Sequence, residues 1–221
     1  MPTSTVEDYL KQILLAELKE PAERVGMGKI AEAMELAPGT VTTMVKTLAG
    51  SGLLDYEPYS GVRLTESGRQ LALHVLRRHR LVEVFLVQVM GLDWSEVHPE
   101  AERREHAISD RLVERMDEML GYPEFDPHGD PIPSALGEVA ERNLLRLGGC
   151  RPGDRVRVAR IADQSPEFLR LMERQGLTPG SERTIESRSE AADSLILADP
   201  EGGRATLGLR AAAKIFVEKT G

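Results

Sequence analysis

The sequence predicts a mainly α protein with a small β component. Its order is an N-terminal winged helix-turn-helix, a helical middle domain and a C-terminal SH3-like β-barrel. Three observations carry that reading. The chain opens with three helical patterns and a hairpin signal, the order of a winged helix-turn-helix. Two long amphipathic stretches follow. Beyond Gly148-Gly149 the apolar period changes from helical to alternating, as short strands require. The expected domains are residues 1–72, 73–147 and 148–221.

Taken in order, residues 3–19 place Val6, Tyr9, Leu10, Ile13, Leu14 and Leu18 at helical spacing, with Thr3, Ser4 or Thr5 as cap and Glu7 and Asp8 in the first turn. PAERVG breaks the pattern. MGKIAEAMEL reads as a short second helix, and APGT, with Gly39, as the turn into a third, VTTMVKTLAGSGLL, closed by Gly50 and Gly52. LDYEP and VRLTESG around Ser60-Gly61 give the hairpin. A long helix is expected from about Thr65 to Leu92. Another is expected from about Pro99 to Leu120, with Ala101, Ile108, Leu112, Met116 and Leu120 as its buried stripe. YPEFDPHGDPIPS reads as irregular, and ALGEVAERNLLRL as a short helix before the boundary. In the last domain DRVRVARI, SERTIESRS, DSLILAD and RATLGL read as strands. SPEFLRLMERQGL is a helix capped by Ser165 and stopped by Gly176, and AAAKIFVE closes the chain.

Composition narrows the function classes. With 41% hydrophobic and 29% charged residues, the 221-residue chain has a globular composition. The opening MPTSTVEDYL lacks the basic and apolar regions of a signal peptide, and no segment is apolar enough to span a bilayer. The expected location is therefore the cytoplasm, with no membrane partner. The single cysteine, Cys150, excludes an internal disulfide or a multi-cysteine zinc site and fits a reducing compartment. The net charge of −8 opposes nucleic-acid binding by the chain as a whole, because phosphates demand cationic surface. Segregated charge or bound divalent cations remove that objection.

Two constellations carry chemistry. In the helix-turn-helix, Pro38, Gly39, Thr40, Thr42, Thr43 and Lys46 surround the start of the third helix. There threonine hydroxyls suit phosphates and base edges, and their methyls suit thymine. Lys29 suits a phosphate contact, and Thr5 completes the DNA-facing set. Three short helices also occur as plain helical subdomains, and the hairpin that follows them favours the DNA-binding reading. The second constellation starts from HPEAERREH (98–106), where Glu102, Glu105 and His106 stand at i, i+3 and i+4 on one side of a helix. HRLVE adds His79 and Glu83 at i, i+4. Carboxylates mixed with imidazole suit a first-row divalent ion, with Mn²⁺ or Fe²⁺ favoured. Each pair alone is equally an ordinary solvated face or a partner for Arg78, Arg80, Arg103 or Arg104. His74 has no acid neighbour at this spacing and reads as structural or exposed.

These residues resemble the diphtheria toxin repressor family of metal-dependent bacterial regulators over essentially the whole chain. VEDYLKQI is similar to the opening of manganese-dependent members. IAEAMELAPGTVTTMVKTLAGSGLL resembles their helix-turn-helix, RRHRLVEVFL and EVHPEAERREH resemble their dimerisation and metal helices, and GDPIP matches a family turn. The resemblance implies a primary site of Asp8, Glu102, Glu105 and His106, and an ancillary site of His79, Glu83 and His98. A third domain in some members adds an acid and an amide, which here correspond, in exchanged order, to Gln164 and Glu167. Iron-type members carry a thioether and a thiolate where this chain has Asp8 and Glu102, so the harder oxygens favour Mn²⁺, with Fe²⁺ as the alternative. Manganese-type members carry a glutamate where this chain has Lys11, which argues against a close two-metal cluster. Two ions per subunit are therefore expected, the second in the ancillary site.

The implied function is a metal-dependent repressor of metal-uptake genes, acting as a homodimer on double-stranded operator DNA. The competing reading is a di-metal hydrolase or oxygen-using enzyme, since helical His/Glu clusters build such sites as well. An enzyme has no need of a winged helix-turn-helix, and no nucleophile or general-base constellation stands beyond these ligands. A winged-helix regulator with a merely superficial acid cluster is the third reading.

Overall fold

The computed structural model describes residues 3–20 and 23–220. Pro21 and Ala22, within the expected PAERVG break, lie outside the described residues. Helix α1 (Ser4–Lys19) begins at Thr3, whose hydroxyl accepts the Val6 N–H at 3.4 Å. Its inward face consists of Tyr9, Leu10, Lys11, Ile13 and Leu14, so one lysine sits in an otherwise apolar stripe. Helices α2 (Met27–Ala33) and α3 (Pro38–Gly50) follow, joined by a turn in which Glu35 takes a positive φ of 53°. The expected turn glycine, Gly39, is instead in the first turn of α3 behind Pro38, where proline's missing N–H costs nothing.

Strands β1 (Leu54–Glu57) and β2 (Gly61–Leu64) form the antiparallel wing. Gly61 is required there: it has φ 116°, and a Cβ would lie 2.5 Å from the Val25 carbonyl oxygen. That close approach lets Val25 and Val62 exchange backbone hydrogen bonds of 2.8 and 2.9 Å, binding the wing to the segment before α2. The Glu17 carboxylate accepts from the Leu64 N–H at 2.8 Å and pairs with Arg69 at 3.0 Å, joining α1 to the wing and the next helix.

Helix α4 (Glu66–Gln88) starts as expected, with the Thr65 hydroxyl accepting the Gly68 N–H. The single helix expected from Pro99 to Leu120 is two: α5 (Val97–Arg104) and α6 (Asp110–Met119). The break has a tertiary cause. Glu105 is fully buried, and Arg78 Nη1 donates to its carbonyl oxygen at 3.1 Å, occupying the acceptor that a continuing helix would use. The break also rotates the stripe: Val113 is 6% exposed and Leu112 53%, so Leu112 is not in the buried face.

The chain divides into two compact units. One comprises Met1–His79, Arg103–Asp110 and Pro133–Glu138, the other Arg80–Glu102, Arg111–Ile132 and Val139–Gly221. The first therefore holds the winged helix-turn-helix together with the break between α5 and α6. In the second, β3 (Leu145–Arg146), β4 (Arg155–Ile161), β5 (Glu182–Ser189), β6 (Ser194–Ala198), β7 (Arg204–Leu207) and β8 (Ile215–Lys219) form one antiparallel sheet in the order β3-β8-β4-β5-β6-β7. Bulges between Val158 and Arg160 and between Ile185 and Ser187 bend it, as a small barrel-like sheet needs. Helices α7 (Pro166–Arg174) and α8 (Leu209–Ala212) complete the domain, and Phe168, Leu169 and Met172 of α7 enter its core with Val156, Val158, Leu195 and Leu197.

The helix expected in ALGEVAERNLLRL does not form. Gly137 has φ 81°, Leu136 is 79% exposed, and Leu145-Arg146 are used to pair with Val217 and Phe216 of β8. A helix there would bury no apolar stripe, while an edge strand satisfies backbone groups of β8.

Candidate metal centre

Asp8 of α1 and Glu105 and His106 of the α5–α6 break bring one donor atom each within 4.8 Å of one another. The imidazole of His106 lies between two carboxylates, with Nδ1 2.6 Å from Glu7 and Nε2 2.8 Å from Asp8. Burial alone lowers the His106 pKa, but the Glu7 hydrogen bond and the Asp8 and Glu105 charges outweigh it and raise the ring above its usual 6.5. Burial raises the Asp8 carboxyl above its usual value, against the opposing pull of His106 and Lys11. Glu105 is likewise pushed up by burial, yet its bonds to His79 and Lys11 win and hold it below the ordinary glutamate value. Its Oε1 is 2.6 Å from Lys11 Nζ, and its Oε2 takes a very short contact from His79 Nδ1. Arg78 adds a cation 3.6 Å from Glu7.

A second cluster is in the other unit. The Glu83 carboxylate accepts from His98 Nδ1 at 3.0 Å and lies 4.0 Å from Nδ1 of His128. Glu83, Asp126 and His128 offer donor atoms within 4.8 Å of one another, all buried. The loop that carries the last two is held locally: Asp126 Oδ1 accepts the N–H groups of His128 and Asp130 at 2.8 and 2.9 Å. Burial, with Asp130 and Glu83 nearby, raises the Asp126 carboxyl well above the usual range. His128 Nε2 is 2.9 Å from the Trp94 carbonyl oxygen and donates to it, which turns Nδ1 toward Glu83. That Nδ1 is fully buried and has no hydrogen-bond partner among the described residues. An orphaned imidazole nitrogen facing carboxylates is what a divalent-ion ligand requires, with the carbonyl behind it fixing the tautomer. The Trp94 ring stacks on His128 with centroids 5.7 Å apart.

Of the residues expected from the sequence, Asp8, Glu105 and His106 come together, and Glu83 meets His98. His79 bonds Glu105 through Nδ1. Glu102, on α5, is 3.5 Å from His98. Gln164 donates its amide to Asp130 at 2.7 Å, and Glu167 lies in the first turn of α7. His74, read as structural or exposed, is exposed and pairs with Asp110, an acid remote in sequence, at 2.9 Å. Asp126 and His128 were not anticipated. The only trace of them in the sequence is two aspartates and a histidine in a proline-rich loop.

On the helix-turn-helix, Thr5, Lys29, Pro38, Gly39, Thr40, Thr43 and Lys46 are exposed and Thr42 is half-buried. The hydroxyls of Thr42 and Thr43 donate to the Pro38 and Gly39 carbonyl oxygens, which leaves their methyls and oxygen lone pairs outward. Lys29 forms a short ion pair with Glu20 across exposed surface.

Residues 1–62 match the iron dependent repressor N-terminal DNA binding domain, residues 65–134 its metal binding and dimerisation domain, and residues 145–219 the FeoA domain. The iron-dependent repressor IdeR of Mycobacterium tuberculosis is 33% identical over 97% of this chain and 97% of its own length. The chain belongs to the iron-dependent repressor family. The diphtheria toxin repressor of Corynebacterium efficiens, a fellow member of the family, is 39% identical over 82% of each chain. Among solved structures, a manganese-dependent transcriptional repressor in complex with manganese is 41% identical. It superposes with a TM-score of 0.87 over 97% of this chain and 99% of that one. ScaR with bound Cd²⁺ is 34% identical with a TM-score of 0.78, over 99% of this chain and 100% of that one. Members of the family are metal-dependent transcriptional repressors, not enzymes, which removes the hydrolase or oxygenase reading. Among the described residues no helix is long and apolar enough to cross a membrane.

Proposed function

We propose that this chain is a Mn²⁺-activated repressor of metal-uptake genes, with Fe²⁺ as the alternative ion, that binds a palindromic operator as a cytoplasmic homodimer. Asp8, Glu105 and His106 hold the first ion, with Glu102 a fourth ligand on the resemblance alone. Glu83, Asp126 and His128, with His98 beside them, hold the second, which gives two ions per subunit. The convergence of Asp8 with Glu105 and His106 carries this reading: an acid of the helix-turn-helix meets the segment that interrupts α5 and α6.

A bound divalent ion supplies positive charge between carboxylates that otherwise repel. The residues do the rest. Glu7 accepts from Nδ1 of His106 and aims Nε2 at the centre, and Asp8 fixes α1 against the α5–α6 break. With α1 held, the wing bound through Glu17 and the start of α3 adopt one pose in place of several, a population shift toward the DNA-binding arrangement. Thr40, Thr43 and Lys46 then face DNA from exposed positions.

Selection from a randomised duplex library with Mn²⁺ should yield palindromic sites. Mobility shifts on those sites should require Mn²⁺ in the wild type and be lost in His106→Ala and Asp8→Asn, while the dimer persists. Full metal-dependent binding by both variants defeats the assignment. Equal binding by the wild type with and without metal defeats the proposed function as a whole.

A further inference from the structure

Tyr59 is an unusual occupant of the wing tip. The Ser60 N–H donates to the Glu57 carbonyl oxygen at 3.1 Å, closing a tight turn with Pro58 and Tyr59 at its two central positions. Tyr59 has a φ of 67°, and a turn with proline second and a positive φ third ordinarily takes glycine or asparagine there. The conformation is costly for an aromatic residue. Nothing inside the chain offsets that cost, because the side chain is fully exposed and its ring buries no surface. Two further features suit the tip to a polyanion. The wing acids Asp55 and Glu57 are both engaged by Arg24, with Nη2 2.7 Å from Asp55 and Nε 3.2 Å from Glu57, so they oppose phosphates less. The wing is also fastened, by the paired backbone bonds of Val25 and Val62 and by Glu17 on the Leu64 N–H, so its tip is presented at a fixed place.

We propose that Tyr59 is a DNA-contacting residue: its ring packs on a deoxyribose and its hydroxyl donates to a phosphate of the operator, beside the base pairs that α3 faces. This rests on the reading of the chain as an operator-binding repressor. Sugar and phosphate contacts fix position and carry no sequence information, so Tyr59 adds affinity for any duplex. A neutral hydroxyl displaces no counterion, so that affinity comes without added salt dependence. The strained turn is then the means of holding an aromatic ring outward at the tip.

The test uses the full-length chain loaded with Mn²⁺ and the duplex selected above. Tyr59→Gly should bind that duplex about tenfold more weakly than the wild type, since each protomer of the dimer loses a hydrogen bond, and an unrelated duplex more weakly by the same factor. The slope of affinity against salt should stay the same, and hydroxyl-radical footprints should lose a protected patch of sugars in each half-site. Tyr59→Phe, which keeps the ring, should fall between. Tyr59→Gly should melt no lower than the wild type, because glycine takes the positive φ freely. Unchanged affinity in Tyr59→Gly overturns the proposal, as does a changed site preference, which would mean that bases are read. A lower melting temperature would make Tyr59 a structural residue, and a lost dimer in sedimentation velocity would place it against a second copy of the chain; each overturns the proposal too. A wild type that binds no duplex instead sinks the repressor reading on which the proposal rests.

Discussion

His106 ties metal uptake to protons. Both of its nitrogens face carboxylates, and its pKa is raised above the usual 6.5, so the doubly protonated ring persists to higher pH than in a free imidazole. Nε2 must lose its proton to bind a metal, which makes uptake a proton-releasing event. Mn²⁺ affinity at the first centre should therefore fall as pH drops through the raised value, starting above 6.5. Calorimetry in buffers of different ionisation enthalpy reads the released protons. The stability of the metal-free form moves the other way: a raised imidazole pKa contributes fully below 6.5 and is lost as pH rises through the folded value. Acidification should thus weaken metal binding while it strengthens this one contact of the metal-free protein. A pH-independent affinity between pH 6 and 8 would contradict the geometry, in which Nε2 and Nδ1 are both bonded to acids.

At the scale of elements, the loop that bears Asp126 and His128 is fastened to the sheet. The Ile161 N–H of β4 donates to the His128 carbonyl oxygen at 2.9 Å, and Gly129 packs its Cα face on the same strand. A Cβ on Gly129 would lie 2.0 Å from the Ala159 carbonyl oxygen at a φ of 87°, so neither the space nor the backbone conformation admits one. Gly129→Ala should lower stability by about 3 kcal/mol and loosen Mn²⁺ binding at the second centre, read by urea unfolding and metal titration. This loop also shows where sequence reading stops. The wing, α1 and the strands were legible because each has its own apolar period and turn residues. The α5–α6 break was not, because it depends on Lys11, His79 and Arg78 drawing Glu105 inward from other parts of the chain. Glu105 and His106 were visible as a helical pair, and that helical reading is also what hid their interruption. His128 was invisible as a ligand because its orphaned nitrogen is defined by a tryptophan carbonyl and a glutamate remote in sequence.

For the molecule as a whole, the exposed apolar residues bear on assembly. Val89 and Met90 beyond α4, Leu112 and Met119 of α6, and Tyr122 are each more than half exposed in the single chain. Leu112 and Met119 belong to the dimerisation domain matched over residues 65–134, whose partner would be a second copy of the same chain. Leu112→Glu combined with Met119→Glu should convert the dimer to a monomer in sedimentation velocity, and should abolish tight operator binding because two half-sites are no longer read together. A variant that still sediments as a dimer places the interface elsewhere. The position of Trp94 has a practical consequence. As the chain's sole tryptophan, stacked on His128, it makes the protein its own optical gauge: paramagnetic Mn²⁺ at that imidazole should dim the indole emission, while loading of the Asp8 centre leaves it bright. A titration without any attached dye should therefore reveal in which order the two ions arrive.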